Sequence, residues 1–330
     1  YISKESQSSK KDISLFVFRF SLFTFHFSLN LEMSYEELRK RLTSVYDERE
    51  AQAVARWVLD EAFGLSLTDI CCGKVSQLSA DDTRRLESMT RRLEQAEPVQ
   101  YVLGHAPFAG HSFEVSPAVL IPRPETEELV NWAVQSAEAM TAAKEQTSVQ
   151  EQASSNASPS LHILDIGTGS GCIAISVALA LPQATVQAWD LSPQALAQAR
   201  SNAQRLGAQV SFVQQDALQP PHHHACLDMV LSNPPYICQC EAEDMHRNVL
   251  AHEPHMALFV PNDDPLRFYR AITRYAVEAL RPGGCVLFEI NALYAEATRQ
   301  MMLDEGLSHI ETRLDCFGKE RFVKGILSGS

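Results

Sequence analysis

His162-Ile163-Leu164-Asp165-Ile166-Gly167-Thr168-Gly169-Ser170-Gly171 runs an apolar stretch directly into three alternating glycines. The apolar part reads as a strand and the residues after Gly171 as a helix. Glycines at such a junction permit a tight turn and let backbone N–H groups approach a ligand closely. Beyond Leu161 the same rhythm continues. Strands are expected at 161–166, 185–190, 209–214, 227–232, 284–290 and 308–314, with helices at 171–181, 193–206 and 265–281. This alternation describes a doubly wound, mainly parallel α/β sheet of the Rossmann-like kind, whose ligands sit beyond the carboxyl ends of the strands.

A lone Gly-x-Gly-x-Gly also fits a dinucleotide fold, so the surrounding residues decide the ligand. Asp165 precedes the loop, where a carboxylate can hold the cationic amino group of a methionine moiety. Gly171 leads into Cys172-Ile173-Ala174, without the third-glycine pattern that cradles a pyrophosphate. Both features favour S-adenosylmethionine, with Gly167, Thr168, Gly169, Ser170 and Gly171 as its loop. Asp190 ends the second strand 19 residues after Gly171, close to the roughly 20 expected of an acid that binds ribose hydroxyls. It also reads as a helix cap, because Ser192-Pro193 follow, and the two roles are compatible. Asp216 ends the third strand. Beside Ala217, it is expected to meet the adenine amino group, or else to be a surface turn residue.

Asp228-Met229-Val230-Leu231-Ser232-Asn233-Pro234-Pro235-Tyr236 places an Asn-Pro-Pro-Tyr tetrapeptide at the end of the fourth strand. Two successive prolines fix the backbone as an extended turn. Rigidity suits a planar amide or exocyclic amine, whose nitrogen is a poor nucleophile with a delocalised lone pair. The Asn233 side-chain oxygen and the Pro234 carbonyl can accept its two N–H groups, while Tyr236 stacks on the plane. Asn233, Pro234 and Tyr236 are therefore the expected catalytic residues, Asn233–Tyr236, including Pro235, the expected substrate contacts, and alignment the expected source of catalysis.

The 330 residues are 45% hydrophobic and 21% charged with net charge −13, which lowers the expectation of a nucleic-acid substrate. Eight cysteines show no paired Cys-x-x-Cys, so free thiols in a reducing cytoplasm are expected. His222–His224 with Cys226, and the Cys238/Cys240 pair, lack a ligand spacing that would argue for a metal. Residues 1–32 contrast with the rest, and Met33 is expected to be the true start. The Phe-rich run there is interrupted by Arg19 and His26 and is too short to span a bilayer. Residues 33–97 read as a helical docking domain, with a helix start at Leu78-Ser79-Ala80-Asp81-Asp82. Residues 98–124 read as a β-hairpin connector, and 125–330 as the catalytic domain. Within the latter, helix is expected from Glu125 to about Ala143 and a mobile loop over 141–160.

Several stretches resemble the HemK/PrmC family of protein glutamine N5-methyltransferases. They include Glu97–His105, Val119-Leu120-Ile121-Pro122-Arg123-Pro124-Glu125-Thr126-Glu127, Glu253–Leu258, Phe268-Tyr269-Arg270, Arg281–Gly284 and Gly318–Phe322. The resemblance spans about Met33 to Lys324. It implies a class I methyltransferase fold, cofactor contacts at Gly167–Gly171, Asp190 and Asn233, and glutamine contacts along Asn233–Tyr236. It further implies that the substrate is the Gly-Gly-Gln loop of peptide chain release factors. The enzyme is expected to act as a cytoplasmic monomer without direct nucleic-acid or membrane contact. Two departures stand out: Ala217 where the family often has an aromatic, and Asn291 where glycine is common. Arg123 and Glu125 read either as a hinge salt bridge or as closing the substrate channel.

Three other readings compete. A ribosomal-protein glutamine methyltransferase would use the same site, and an adenine-N6 methyltransferase would use the tetrapeptide on a flipped base. The Arg39–Arg41, Arg84–Arg85 and Arg91–Arg92 clusters are interleaved with acids and read as solvated helix faces instead of a nucleic-acid groove. The third, a non-catalytic cofactor-binding protein, sits poorly with an intact glycine loop and tetrapeptide.

Overall fold

A computed structural model describes residues 33–150, 160–222 and 224–329. The expectations for 1–32, for His223 and for 151–159 lie outside these residues. The chain divides into two compact units, one ending at Gln95 and one beginning at Ala96.

The first unit packs helices Tyr35–Leu42, Glu48–Phe63, Leu67–Cys71 and Ala80–Glu94. Each starts where a short polar side chain caps it: Ser34 accepts from Glu37 N, Asp47 from Glu50 N, Ser66 from Asp69 N and Ser79 from Asp82 N. Leu38, Leu42, Val58, Leu59, Leu86 and Leu93 fill the core between them. Arginines of all three clusters find carboxylates within the unit. Arg41 forks onto Glu87 and Glu94 at 2.6 and 2.8 Å, Arg91 also reaches Glu87, and Arg84 pairs with Asp81. These pairings suit a solvated face better than a phosphate groove.

The second unit opens with a helical turn, Val99–Leu103, in place of pure hairpin. Strands β1 (His105–Phe108) and β2 (His111–Glu114) follow as an antiparallel hairpin. Its tip holds Ala109 and Gly110 at positive φ, the conformation two-residue hairpin turns require, and Ala109 N donates to Glu127.

Helix Thr126–Gln150 then runs past the expected loop start at 141. Ala142, Ala143, Lys144 and Glu145 are strong helix formers, so a polar, small composition there signalled an exposed helix and not a loop. Lys144, beyond the expected helix end, donates to the buried Asp228 at 2.7 Å. Arg281 and His162 N also donate to Asp228.

The sheet comprises β3 (His162–Ile166), β4 (Thr185–Asp190), β5 (Val210–Gln214), β6 (Leu227–Ser232), β9 (Leu280–Glu289), β10 (Ser308–Leu314) and β11 (Glu320–Ile326). The intervening β7 (Ile237–Cys238) and β8 (Phe259–Val260) pair separately. The order is β10-β11-β9-β6-β3-β4-β5, with β3, β4, β5, β6 and β9 parallel and the β10/β11 pair antiparallel. Alternate residues of each central strand feed opposite cores. Ile163, Met229, Leu231 and Leu287 join one cluster, whereas Leu164, Val230, Val286 and Phe288 join the other. Burial on both faces is why these strands read as continuous apolar runs. Helices Thr126–Gln150 and Cys172–Ala180 cover the first face; Arg267–Ala279 and Ala295–Asp304 cover the second.

Candidate active site

The strand order reverses between β3 and β6, which makes the crevice beyond their carboxyl ends the expected ligand site. Asp165 stands opposite Leu231 in the register, so Gly167 and Asn233 emerge level, two residues farther along. Ser232 Oγ donates to Ile166 O at 2.6 Å and ties the two strand ends together. On the other side of β3, Gly167 N and Thr168 N both donate to Trp189 O at 2.9 Å.

Gly171 explains why this junction needs glycine. Its φ is +84°, and a Cβ there would stand 3.1 Å from Ala199 Cβ and 2.7 Å from Ile175 Cδ1. The loop can thus pack against the helix Pro193–Leu206 only without a side chain at that point.

A cavity with about 830 Å³ of empty space, its open mouth included, lies here. Gly167, Gly169, Asp190, Asp216, Ala217, Asn233, Pro234 and Pro235 line it. Asp190 accepts Gly169 N at 2.9 Å on one oxygen and Ser192 N at 2.9 Å on the other. Ser192, not Asp190, caps the following helix, through Ala195 N. Each Asp190 oxygen keeps lone-pair capacity for ribose hydroxyls. Burial pushes the Asp190 carboxyl above its usual range, and the N–H groups of Ser192 and Gly169 oppose that shift. One Asp216 oxygen accepts Leu218 N at 2.8 Å. The aromatic ring on this wall is Phe268, in the same apolar cluster as Ala217.

Asp165, Thr168, Ser170 and Gly171 sit behind the cavity wall and do not line it. Asp165 is fully buried. Its Oδ2 accepts Thr168 Oγ1 at 2.6 Å, while Oδ1 has no partner. Desolvation pushes this carboxyl up to about 7. With Gly167, Gly169, Asp190 and Asp216 on its wall, the cavity fits a ligand bearing a ribose and an adenine.

Asn233 and Pro234 also line a second cavity of about 750 Å³, together with Arg123, Tyr236, Met245, His246 and Val249. The tetrapeptide therefore forms a partition between the two cavities, with Asn233 and Pro234 shared by both. Arg123 pairs with Glu253 at 2.6 Å, and not with Glu125. The Tyr236 hydroxyl donates to Glu289 Oε1 at 3.1 Å, and burial holds it neutral far above the ordinary tyrosine range. Asn291 Nδ2 donates to Tyr236 O at 3.2 Å and to Glu241. The asparagine thus braces the turn that glycine would have left free. Thr126, Glu253 and Glu289 belong to this site although sequence reasoning gave them no role. The first two lie in the Val119–Glu127 and Glu253–Leu258 stretches, which were the available signal.

Residues 35–104 match the PrmC N-terminal domain, and residues 147–258 match the methyltransferase small domain. The chain is 42% identical over 287 residues to the release factor glutamine methyltransferase of Bacteroides thetaiotaomicron, covering 87% of this chain and 96% of that one. It is 36% identical to the protein of the same description from Flavobacterium psychrophilum, covering 86% and 94%. A third, from Bordetella pertussis, is 40% identical over 239 residues, covering 72% and 80%. With a glycine loop on one side of an Asn-Pro-Pro-Tyr partition and relatives matched over nearly their full length, this chain belongs to the release factor glutamine methyltransferase family.

Proposed function

We infer that this chain transfers a methyl group from S-adenosylmethionine to the side-chain amide nitrogen, N5, of the glutamine in a release factor's Gly-Gly-Gln motif. The observation that carries the reading is the partition: Asn233 and Pro234 line both cavities at once.

When bound, S-adenosylmethionine supplies an electrophilic methyl on a sulfonium. Asp190 and Asp216 are proposed to hold the ribose and the adenine amino group, with Gly167 and Gly169 of the loop against the methionine moiety. Asn233 Oδ1 and the Pro234 carbonyl accept the two N–H groups of the substrate amide, and Tyr236 bounds its plane. This orients the nitrogen lone pair toward the cofactor cavity and supplies catalysis as alignment and fixed dipoles. A nitrogen that has gained a methyl is acidic, so its proton leaves without a strong base. Arg123 walls the substrate side. The helical unit, 33–97 in the sequence reading, is proposed to dock the release factor.

The protein is proposed to act as a cytoplasmic monomer. Among the described residues no helix is long and apolar enough to cross a membrane. The test offers methyl-labelled S-adenosylmethionine with an unmethylated release factor, a ribosomal protein or duplex DNA. Label should reach the Gly-Gly-Gln glutamine of the release factor, and Asn233→Ala should abolish it. Label on DNA or ribosomal protein alone would reject the substrate assignment.

A further inference from the structure

Asn233 serves an amide substrate in only one of its two flip orientations. Its carboxamide has an accepting oxygen on one side and a donating NH2 on the other. Only the oxygen can receive an N–H of the reacting nitrogen. An NH2 facing the substrate would repel it.

The choice is made deeper in the protein, where three elements meet. Asn233 Nδ2 lies 3.3 Å from Thr126 Oγ1, at the first residue of the helix Thr126–Gln150. Thr126 Oγ1 lies 2.6 Å from Glu289 Oε2, at the last residue of β9. A hydroxyl has one proton to give and an ionised carboxylate has none. With Glu289 ionised, Thr126 therefore donates to it, and the Thr126 oxygen is left to accept. Its neighbour on Asn233 must then be the NH2, and Oδ1 turns the other way.

The surroundings hold this polarity. Thr126 and Glu289 are each 2% exposed, so bulk water does not substitute for either partner. Glu289 Oε1 accepts the Tyr236 hydroxyl at 3.1 Å, so one carboxylate steadies both ends of the tetrapeptide. The Glu289 carbonyl accepts Tyr269 OH at 3.1 Å, and the Ile290 carbonyl accepts Arg321 Nη1 at 3.3 Å. Burying a carboxylate is costly, and a core that needed only packing would use an apolar side chain here.

We propose that Thr126 and Glu289 are positioning residues: a proton-ordered relay, Asn233 to Thr126 to Glu289, that locks the Asn233 carboxamide with Oδ1 toward the substrate nitrogen. The catalytic consequence rests on the methyltransferase reading above; the locked orientation does not.

The full chain tests both parts. Thr126→Val removes the hydroxyl at nearly constant shape, and Thr126→Ser keeps it. Thr126→Val should lower kcat/KM for the release factor about 10- to 100-fold, as expected for losing a buried hydrogen bond to a charged network. Its affinity for S-adenosylmethionine should stay within about twofold, and Thr126→Ser should stay within about threefold of wild type in kcat/KM. A merely structural role would move cofactor affinity and melting temperature together with rate. If the valine variant does not fold, Thr126→Ala takes its place. Side-chain amide NMR supplies a substrate-free readout: the Asn233 NH2 protons should exchange slowly in wild type and measurably faster in Thr126→Val. Failure of the wild type to label a release factor would reject the function and leave the NMR comparison to judge the relay. Unchanged kcat/KM in Thr126→Val, equal damage in Thr126→Ser, or unchanged Asn233 exchange would overturn the relay.

Discussion

The Arg123 guanidinium donates to the Glu253 carboxylate at 2.6 Å, joining residues 130 positions apart. The Glu253 side chain is 1% exposed and that of Arg123 32% exposed. Glu253 also accepts Ile121 N at 3.3 Å, so one buried carboxylate holds both the backbone and the side chain of the segment bordering the second cavity.

Glu253→Ala would leave the buried Ile121 N–H without its acceptor and free Arg123 to swing. Stability should fall by roughly 2 kcal/mol, below the cost of breaking a fully buried pair because Arg123 is partly solvated. KM for the release factor should rise several-fold while cofactor affinity holds. Glu253→Gln keeps an acceptor for Ile121 N and should be milder. Chemical denaturation and steady-state kinetics read the two effects separately. Equal stability of wild type and the alanine variant would remove the bracing role.

Activity should have an acid limb set by Glu289. Burial raises its carboxyl above the usual glutamate range of about 4.3. Hydrogen bonds from Thr126 and Tyr236 and the charge of Arg321 work against that rise, while Glu125 adds to it. The relay needs the carboxylate form, so kcat/KM should decline as pH falls through a value above 4.3. Glu289→Gln should lose most activity and its remainder should not follow that limb. A pH profile with the same limb in both proteins would assign it to another group.

Asp165 should cost stability at neutral pH. Its folded value of about 7 lies above the roughly 3.9 of an unfolded aspartate. The penalty is absent below pH 4, grows as pH rises to 7, and is constant beyond. Asp165→Asn can still accept from Thr168, and should stabilise the apoprotein at pH 8 by an amount on the order of 2 kcal/mol. At pH 4 the two proteins should melt nearly together. Thermal denaturation at both pH values decides it, and a destabilised asparagine variant at pH 8 would contradict the assignment.

Phe268 is expected to supply the aromatic surface missing at Ala217. Phe268→Ala should weaken S-adenosylmethionine binding by about tenfold, in line with the 1–3 kcal/mol of an aromatic–base stack. Calorimetric titration measures it. Unchanged affinity would show that Phe268 makes no stack on the adenine.

The sequence by itself determined the parts whose causes are local. Serine followed three residues later by an acid starts the helix at Ser79, because the side chain meets the N–H groups of its own first turn. The apolar strand running into Gly167–Gly171, and the Asn-Pro-Pro-Tyr after Ser232, fix a ligand loop and a rigid turn from neighbouring residues alone. Strand and helix alternation then places both at the carboxyl ends of a parallel sheet.

Tertiary structure decided what depends on partners far along the chain. Insertion of β11 between β9 and β10 follows from antiparallel pairing across the sheet, which no local spacing encodes. Extension of the helix from Thr126 to Gln150 fits its helix-forming residues, but Lys144 finds Asp228 only when helix and sheet pack. Arg123 chose Glu253 over its sequence neighbour Glu125 for the same reason. Thr126, Asn233 and Glu289 read singly as a helix start, a turn and a strand end. Their hydrogen bonds span 107 and 163 positions, and only the packed sheet makes them one unit. Local propensity acts over a few residues, whereas the direction of a side chain's hydrogen bond is set by whichever group the fold brings opposite.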